Sequence, residues 1–223
     1  MPDIQVPAKP SSFDFSLKST ALIIIDMQRD FLETGGFGSS LGNDVSMLRN
    51  CIAPIKNLLE SSRRSDLFIL HTREGHREDL SDVHPEKQAR CSTSKKIGDN
   101  GPMGRILVRN QPGHGIIEEL APRANEPVID KPGKGAFFST DLDLLLRAAG
   151  ITTTIICGVT TEVCVHTTVR EANDRGYRVL VPEDCCGSYF PEFHRVGIEM
   201  ISAQGGIFGH VTDSEAIVTA LDA

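Results

Sequence analysis

The 223-residue chain contains no tryptophan and only two tyrosines, so a broad aromatic platform for stacking bases is not expected. It is also short of positive charge. Its 23 Lys and Arg face 30 Asp and Glu, and the net charge of -7 argues against nucleic-acid binding, which needs a basic surface to neutralise phosphates. No apolar run approaches the roughly 18–20 residues that span a bilayer, and residues 1–15 lack the charged start and apolar centre of a signal peptide. A cytoplasmic protein with no membrane partner is the expectation. Cys51, Cys91, Cys157, Cys164, Cys185 and Cys186 show neither a CxxC pair nor the spacing of a secreted disulfide scaffold, which predicts reduced thiols. The seven histidines form no HxH or HExxH pair, and the glycines of residues 33–42 match neither GxGxxG nor GxxxxGKS. Neither a metal nor a cofactor is expected.

What is present is a regular alternation of short apolar runs and amphipathic segments. Strands are predicted at 21–25, 67–71, 128–130, 153–157, 178–181 and 207–210. Helices are predicted at 45–63, 116–120, 141–149, 164–174, 192–203 and 213–221, with Thr140 as a cap and Gly176 as a stop. Such alternation means an α/β fold, a six-stranded parallel sheet with helices on both faces joined by right-handed crossovers. A chain of this length fits one domain, residues 1–223. Residues 1–18, with Pro2, Pro7 and Pro10 and no clear periodicity, read as an arm that packs irregularly or drapes over a neighbour. The glycine-rich 33–42 segment reads as a mobile loop beside the site, and the long polar stretch 73–113 as a lid or substrate-facing insertion.

Three chemistry-bearing residues follow three of the strands. Asp26 ends the aliphatic run of the first, Lys131 follows the third, and Cys164 lies in GVTTEVCVHTT just after the fourth, at the start of a helical pattern. Ligands bind outside the carboxyl ends of strands in open parallel sheets, so an acid, an ammonium and a thiol would converge on one crevice. Cysteine alone is more often core filler, and an Asp at a strand end more often a cap or ion pair. Together they permit covalent catalysis, with helix N–H groups favouring the thiolate, Asp26 as base, Cys164 as nucleophile and Lys131 as the charge that holds both anions. Lys134, in the KPGKG turn, competes for the last role, but Lys131 directly follows the strand, where direction is fixed. His166, two positions after Cys164, faces elsewhere on the helix and makes a poor Cys–His pair.

Asp26 in ALIIIDMQRDF, Lys131 in VIDKPGKGAFFSTDLDLLL and Cys164 in GVTTEVCVHTTVREANDRGY resemble the isochorismatase-like cysteine hydrolase superfamily over nearly the whole chain. The resemblance implies a Rossmann-like three-layer sandwich, an Asp-Lys-Cys triad, dimers or tetramers, and a cis peptide between Val159 and Thr160. It further implies that the N–H groups of Thr160 and Cys164 form an oxyanion hole. HTREGHREDL, EDCCG and AQGGIFG are similar to biuret and triuret hydrolases. The nicotinamidase branch carries a metal-binding Asp-x-His where this chain has Arg73, Glu74, Gly75 and His76, and the branch without a catalytic cysteine is excluded by Cys164. The expected substrate is therefore a small neutral ureide, biuret or triuret, with ammonia released through an S-carbamoyl enzyme. Gln204 is either a substrate contact, as the resemblance suggests, or a surface amide. Thr161, Arg73 and Glu78 are further candidate polar contacts, and Phe31, Phe37 and Phe138 a candidate apolar wall. Hydrolysis of ureidoacrylate or an N-carbamoyl amino acid by the same triad, with Arg73 or Arg77 binding the carboxylate, is one alternative. A non-catalytic binding role is the other.

Overall fold

A computed structural model describes residues 4–89 and 95–223, so Cys91 and Pro2 lie outside the described residues. Its centre is the pair β1 (Thr20–Ile25) and β4 (Thr153–Val159), both buried at every position. Near-continuous aliphatic and β-branched sequence forms strands of this kind because helices cover both sides of a parallel sheet. With β2 (Phe68–Glu74), β3 (Val128–Lys131), β5 (Arg178–Pro182) and β6 (His210–Thr212), they form a parallel sheet of order β6-β5-β4-β1-β2-β3. A two-residue strand, Cys186–Gly187, pairs with the end of β4 and makes a seventh, too short to be read from periodicity. Six strands in the order of the chain are thus as expected, except that the last, predicted at 207–210, lies at His210–Thr212 because the preceding helix runs on to Gly206.

The main helices are α1 (Ile52–Arg64), α2 (Leu142–Ala148), α3 (His166–Asp174), α4 (Pro191–Gly206) and α5 (Ser214–Leu221). The steps β1 to β2 and β4 to β5 run in opposite directions along the sheet, so right-handed crossovers place α1 and α3 on opposite faces. α5 packs on α1, and α4 beside α3. The helix predicted at 45–63 is broken into Ser46–Arg49 and α1. Pro54 has no N–H to offer Asn50 and its ring crowds that carbonyl, which ends the first segment there. Asp213 caps α5 by accepting a hydrogen bond from the Ala216 N–H at 2.7 Å.

Two expectations about irregular segments are corrected. The N-terminal arm is a hairpin, with Ile4–Val6 antiparallel to Phe13–Phe15, and Lys9 exchanges backbone hydrogen bonds with Val211 of β6. Val6, Phe13 and Phe15 are buried, so the period-two apolar pattern on either side of the prolines was the overlooked signal. The 33–42 segment is wound into a short helix at Phe37–Ser40, anchored by Asp30 accepting from the Phe37 N–H. The insertion after β2 has a small core of its own, Ile97, Ile106 and Leu107, on which Phe31 and Phe37 pack.

β1 and β4 touch closely at their carboxyl ends. Gly158 has φ +117, and a Cβ there would collide with the Ile25 backbone. Gly158→Ala is therefore expected to destabilise the protein by roughly 2–4 kcal/mol, read as a lower urea midpoint with an unchanged m-value.

Candidate active site

Asp26 leaves β1 with φ 50, in the left-handed region. Its Oδ1 accepts a hydrogen bond from the Thr72 hydroxyl at 2.7 Å, and Oδ2 lies 2.7 Å from Lys131 Nζ with no hydrogen-bond donor aligned on it. Both side chains are fully buried. Lys131 also donates to the carbonyls of Gly133 and Lys134, so the KPGKG turn is curled round its ammonium. Lys134 does not share this role, because its ammonium pairs with Glu74 instead.

In the sequence Glu74 stands in the polar 73–113 stretch, where the nicotinamidase branch carries its Asp-x-His, with no catalytic or binding role of its own. β2 runs three residues past its predicted end, and strand alternation turns Thr72 and Glu74 toward the site while Arg73 points the other way, to Asp130 at 2.7 Å. Glu74 is buried. Its Oε1 accepts from Lys134 (2.8 Å) and Lys87 (3.0 Å), and its Oε2 accepts from Lys134 (2.9 Å) and faces Cys164 Sγ at 3.9 Å. Burial opposes the charged form, but the ammoniums of Lys134, Lys131 and Lys87 outweigh it and bring the Glu74 carboxyl down to about 2. A depressed folded value means that this carboxylate contributes stability above its ordinary 4.5 and loses it as pH falls through about 2. Glu126, bound by Arg63 and His71, behaves alike. Burial also holds the rings of His71, His76, His114, His166, His194 and His210 below their ordinary 6.5, so the urea midpoint is expected to decline as pH falls through about 6.5 and to drop more steeply below about 4.

 The set of charges around the thiol does not favour a resting thiolate. Burial pushes the Cys164 thiol up, and although Lys131 and Lys134 pull it down, Asp26 and Glu74 push it further up. The helix start is also no simple helix N-terminus, since Thr161–Val165 form a single π turn ahead of α3. Cys164 rests as a neutral thiol, and a base must take its proton. The peptide between Val159 and Thr160 is cis. Donor atoms of Asp26, Glu74 and Cys164 lie within 4.8 Å of one another, a set that a cation could use. The ammoniums of Lys131 and Lys134 already neutralise the two carboxylates, so a metal ion fits poorly.

The thiol opens on a cavity of about 200 Å³. That is below the roughly 300–1,000 Å³ of drug-sized pockets and suits a substrate of few heavy atoms. Phe31 and Phe37 form its apolar wall, with Tyr189 and Thr160, and Glu74 and Lys134 supply charge. Tyr189 donates to the Phe31 carbonyl at 2.8 Å, and a Cβ on Gly38 would collide with its hydroxyl, which accounts for that glycine. Glu162 also lines the cavity, and its Oε2 is buried with no hydrogen-bond partner among the described residues. Sequence reading missed Glu162, Tyr189, Glu74 and Lys87. Only the glutamate in TTEVC, two residues before the cysteine, carried a usable signal.

Other candidates fall elsewhere. Phe138 is 59% exposed and sits over Gly133, away from the cavity lining. Thr161 is buried with its hydroxyl 2.8 Å from His194 Nδ1, and Glu78 is exposed, as is Arg77. Gln204 is exposed at the break in α4, with φ 52, and neighbouring Gly206 packs beside Pro10 of the N-terminal hairpin. Within one chain it does not line the cavity, because α4 carries its C-terminal end toward the β6 edge of the sheet.

The family model for the isochorismatase domain matches residues 20–216. Ureidoacrylate amidohydrolase RutB of Serratia proteamaculans (strain 568) is 29% identical over 99% of this chain and 90% of its own length. The enzyme of the same name from Enterobacter sp. (strain 638) is 31% identical over 84% of each chain. Among solved structures, a cysteine hydrolase from Pseudomonas syringae pv. phaseolicola 1448A superposes with a TM-score of 0.80 at 27% identity, covering 100% of this chain and 98% of the other.

Proposed function

The chain belongs to the isochorismatase family, and from that premise we propose that it is a cysteine-dependent amidohydrolase of small linear ureides, with biuret or triuret as substrate. The observation that carries this reading is the buried constellation of a neutral Cys164 thiol beside an Asp26–Lys131 ion pair, opening on a small cavity. Asp26 takes the thiol proton as Sγ bonds to the substrate carbonyl carbon, and the carbonyl oxygen becomes an oxyanion held by the N–H groups of Thr160 and Cys164. The C–N bond then breaks, and Asp26 returns the proton to the departing nitrogen. A water, deprotonated by Asp26, attacks the S-acyl carbon, and the thiol is regenerated as the acid leaves. The Lys131 ammonium, 2.7 Å from Asp26 Oδ2, holds that carboxylate in position between these transfers.

Charge distinguishes the candidate ureides. Glu74 and Glu162 line the cavity and Lys134 is paired with Glu74, so the wall suits the NH₂ donors of a neutral ureide. A substrate carboxylate would meet two glutamates. The names of the relatives favour the second reading, ureidoacrylate. An ammonia-release screen over biuret, triuret, ureidoacrylate, N-carbamoyl amino acids and nicotinamide decides between them. Turnover of biuret or triuret at a kcat/KM at least about tenfold above ureidoacrylate is expected, and the reverse order would replace the first reading by the second.

A further inference from the structure

Outside the Asp26–Lys131 pair, the site contains a second buried carboxylate with no role in the steps above. Glu74 touches the reacting sulfur at 3.9 Å, lines the cavity, and is held on three sides. Lys134 binds both its oxygens, and Lys87 binds Oε1 from the short helix Pro85–Ala89 of the insertion. The Lys87 ammonium is itself fixed by the Pro132 carbonyl at 2.8 Å and lies 3.1 Å from His76 Nε2. It therefore ties the insertion to both β2 and the turn after β3. A carboxylate fixed this firmly has a defined lone-pair direction, and Oε2 is the oxygen next to Sγ.

Resting on the ureide reading, we propose that Glu74 is a substrate-positioning carboxylate, whose Oε2 accepts an N–H of the ureido group under attack by Cys164, and that Lys87 holds it in place. In the resting site, Oε2 takes the thiol hydrogen bond. When Asp26 removes that proton, Oε2 has room for a new donor, and the ureido nitrogen bonded to the attacked carbon supplies one. The nitrogen is thereby held on the side of the sulfur, and the carbonyl oxygen is directed away from both carboxylates. The charged and titratable groups around Glu74 are Lys134, Lys131 and Lys87, the Cys164 thiol, the Asp26 carboxylate within 4.8 Å, and His76 beside Lys87, of which the three ammoniums favour its charged form. Their sum explains why the glutamate stays ionised in a fully buried position. Lys87 acts at one remove, as a positioning residue brought in by the insertion.

The test compares Glu74→Gln, Glu74→Asp, Lys87→Met and Lys87→Arg by steady-state kinetics and by the pH dependence of Cys164 alkylation with iodoacetamide. Glu74→Gln is expected to lower kcat/KM by roughly 10- to 100-fold, with KM raised. It should also alkylate about tenfold faster near pH 7, because the Glu74 charge that pushes the thiol up is removed and Lys134 beside the thiol loses its counterion. Lys87→Met should raise KM by a smaller factor, and Lys87→Arg should restore it. Glu74→Asp keeps the charge and withdraws the oxygen, so it should raise KM with near-normal alkylation, and it serves if the glutamine variant fails to fold. Wild-type kcat/KM in Glu74→Gln would overturn the proposal. So would loss of turnover with an unchanged alkylation profile, which would mark a purely structural residue. If the wild-type protein cleaves no ureide, the ureide reading fails, while the alkylation profiles still show whether Glu74 governs the thiol.

Discussion

Cys164→Ala is expected to lower turnover of the best ureide by about 10⁴-fold or more, since removal of a covalent nucleophile leaves only binding and oxyanion contacts. The fold should survive. The side chain is small and 4% exposed, and the change removes one weak donor to Glu74 without stranding an ion pair. The melting temperature should move by no more than about 4 °C, which corresponds to about 1 kcal/mol in a chain of this size. Activity and thermal unfolding measured on the same preparation separate the two effects. Residual turnover above about 1% would mean that water is activated directly and that no S-acyl enzyme forms.

Lys131→Met carries the second large effect, on stability as well as rate. The variant leaves Asp26 buried without its ammonium, and breaking a buried pair costs roughly 3–5 kcal/mol. It also removes the donor to the Gly133 and Lys134 carbonyls that shapes the turn. A fall in melting temperature of roughly 6–20 °C follows. Asp26 would take up a proton to escape the uncompensated charge and could no longer serve as base, so turnover is lost with it. The double variant Asp26→Asn with Lys131→Met should recover much of the stability and none of the activity. A single variant as stable as wild type would show that the pair is not closed to water.

The legible parts of the site were those fixed by strand ends. Asp26 and Lys131 stand at the ends of strands whose direction is set by backbone pairing, and Cys164 lies in the segment that follows a fully buried strand. The residues that were misplaced lie where local pattern is silent. Arg73 and Glu74 exchange roles through a one-residue alternation that depended on β2 continuing past His71. Gln204 and Phe138 are placed by how far a kinked helix end and a turn stand from the cavity, a distance no motif encodes.

By itself the sequence determined the order of strands and helices, the parallel sheet, and the edge at which acid, ammonium and thiol meet, because apolar periodicity and strand polarity are local properties. Tertiary structure alone decided that Glu74 and Lys87 join the site and that the thiol rests protonated. Each of these depends on burial and on charges brought together from distant segments, and the free energy of a buried charge is set by neighbours in space rather than in sequence.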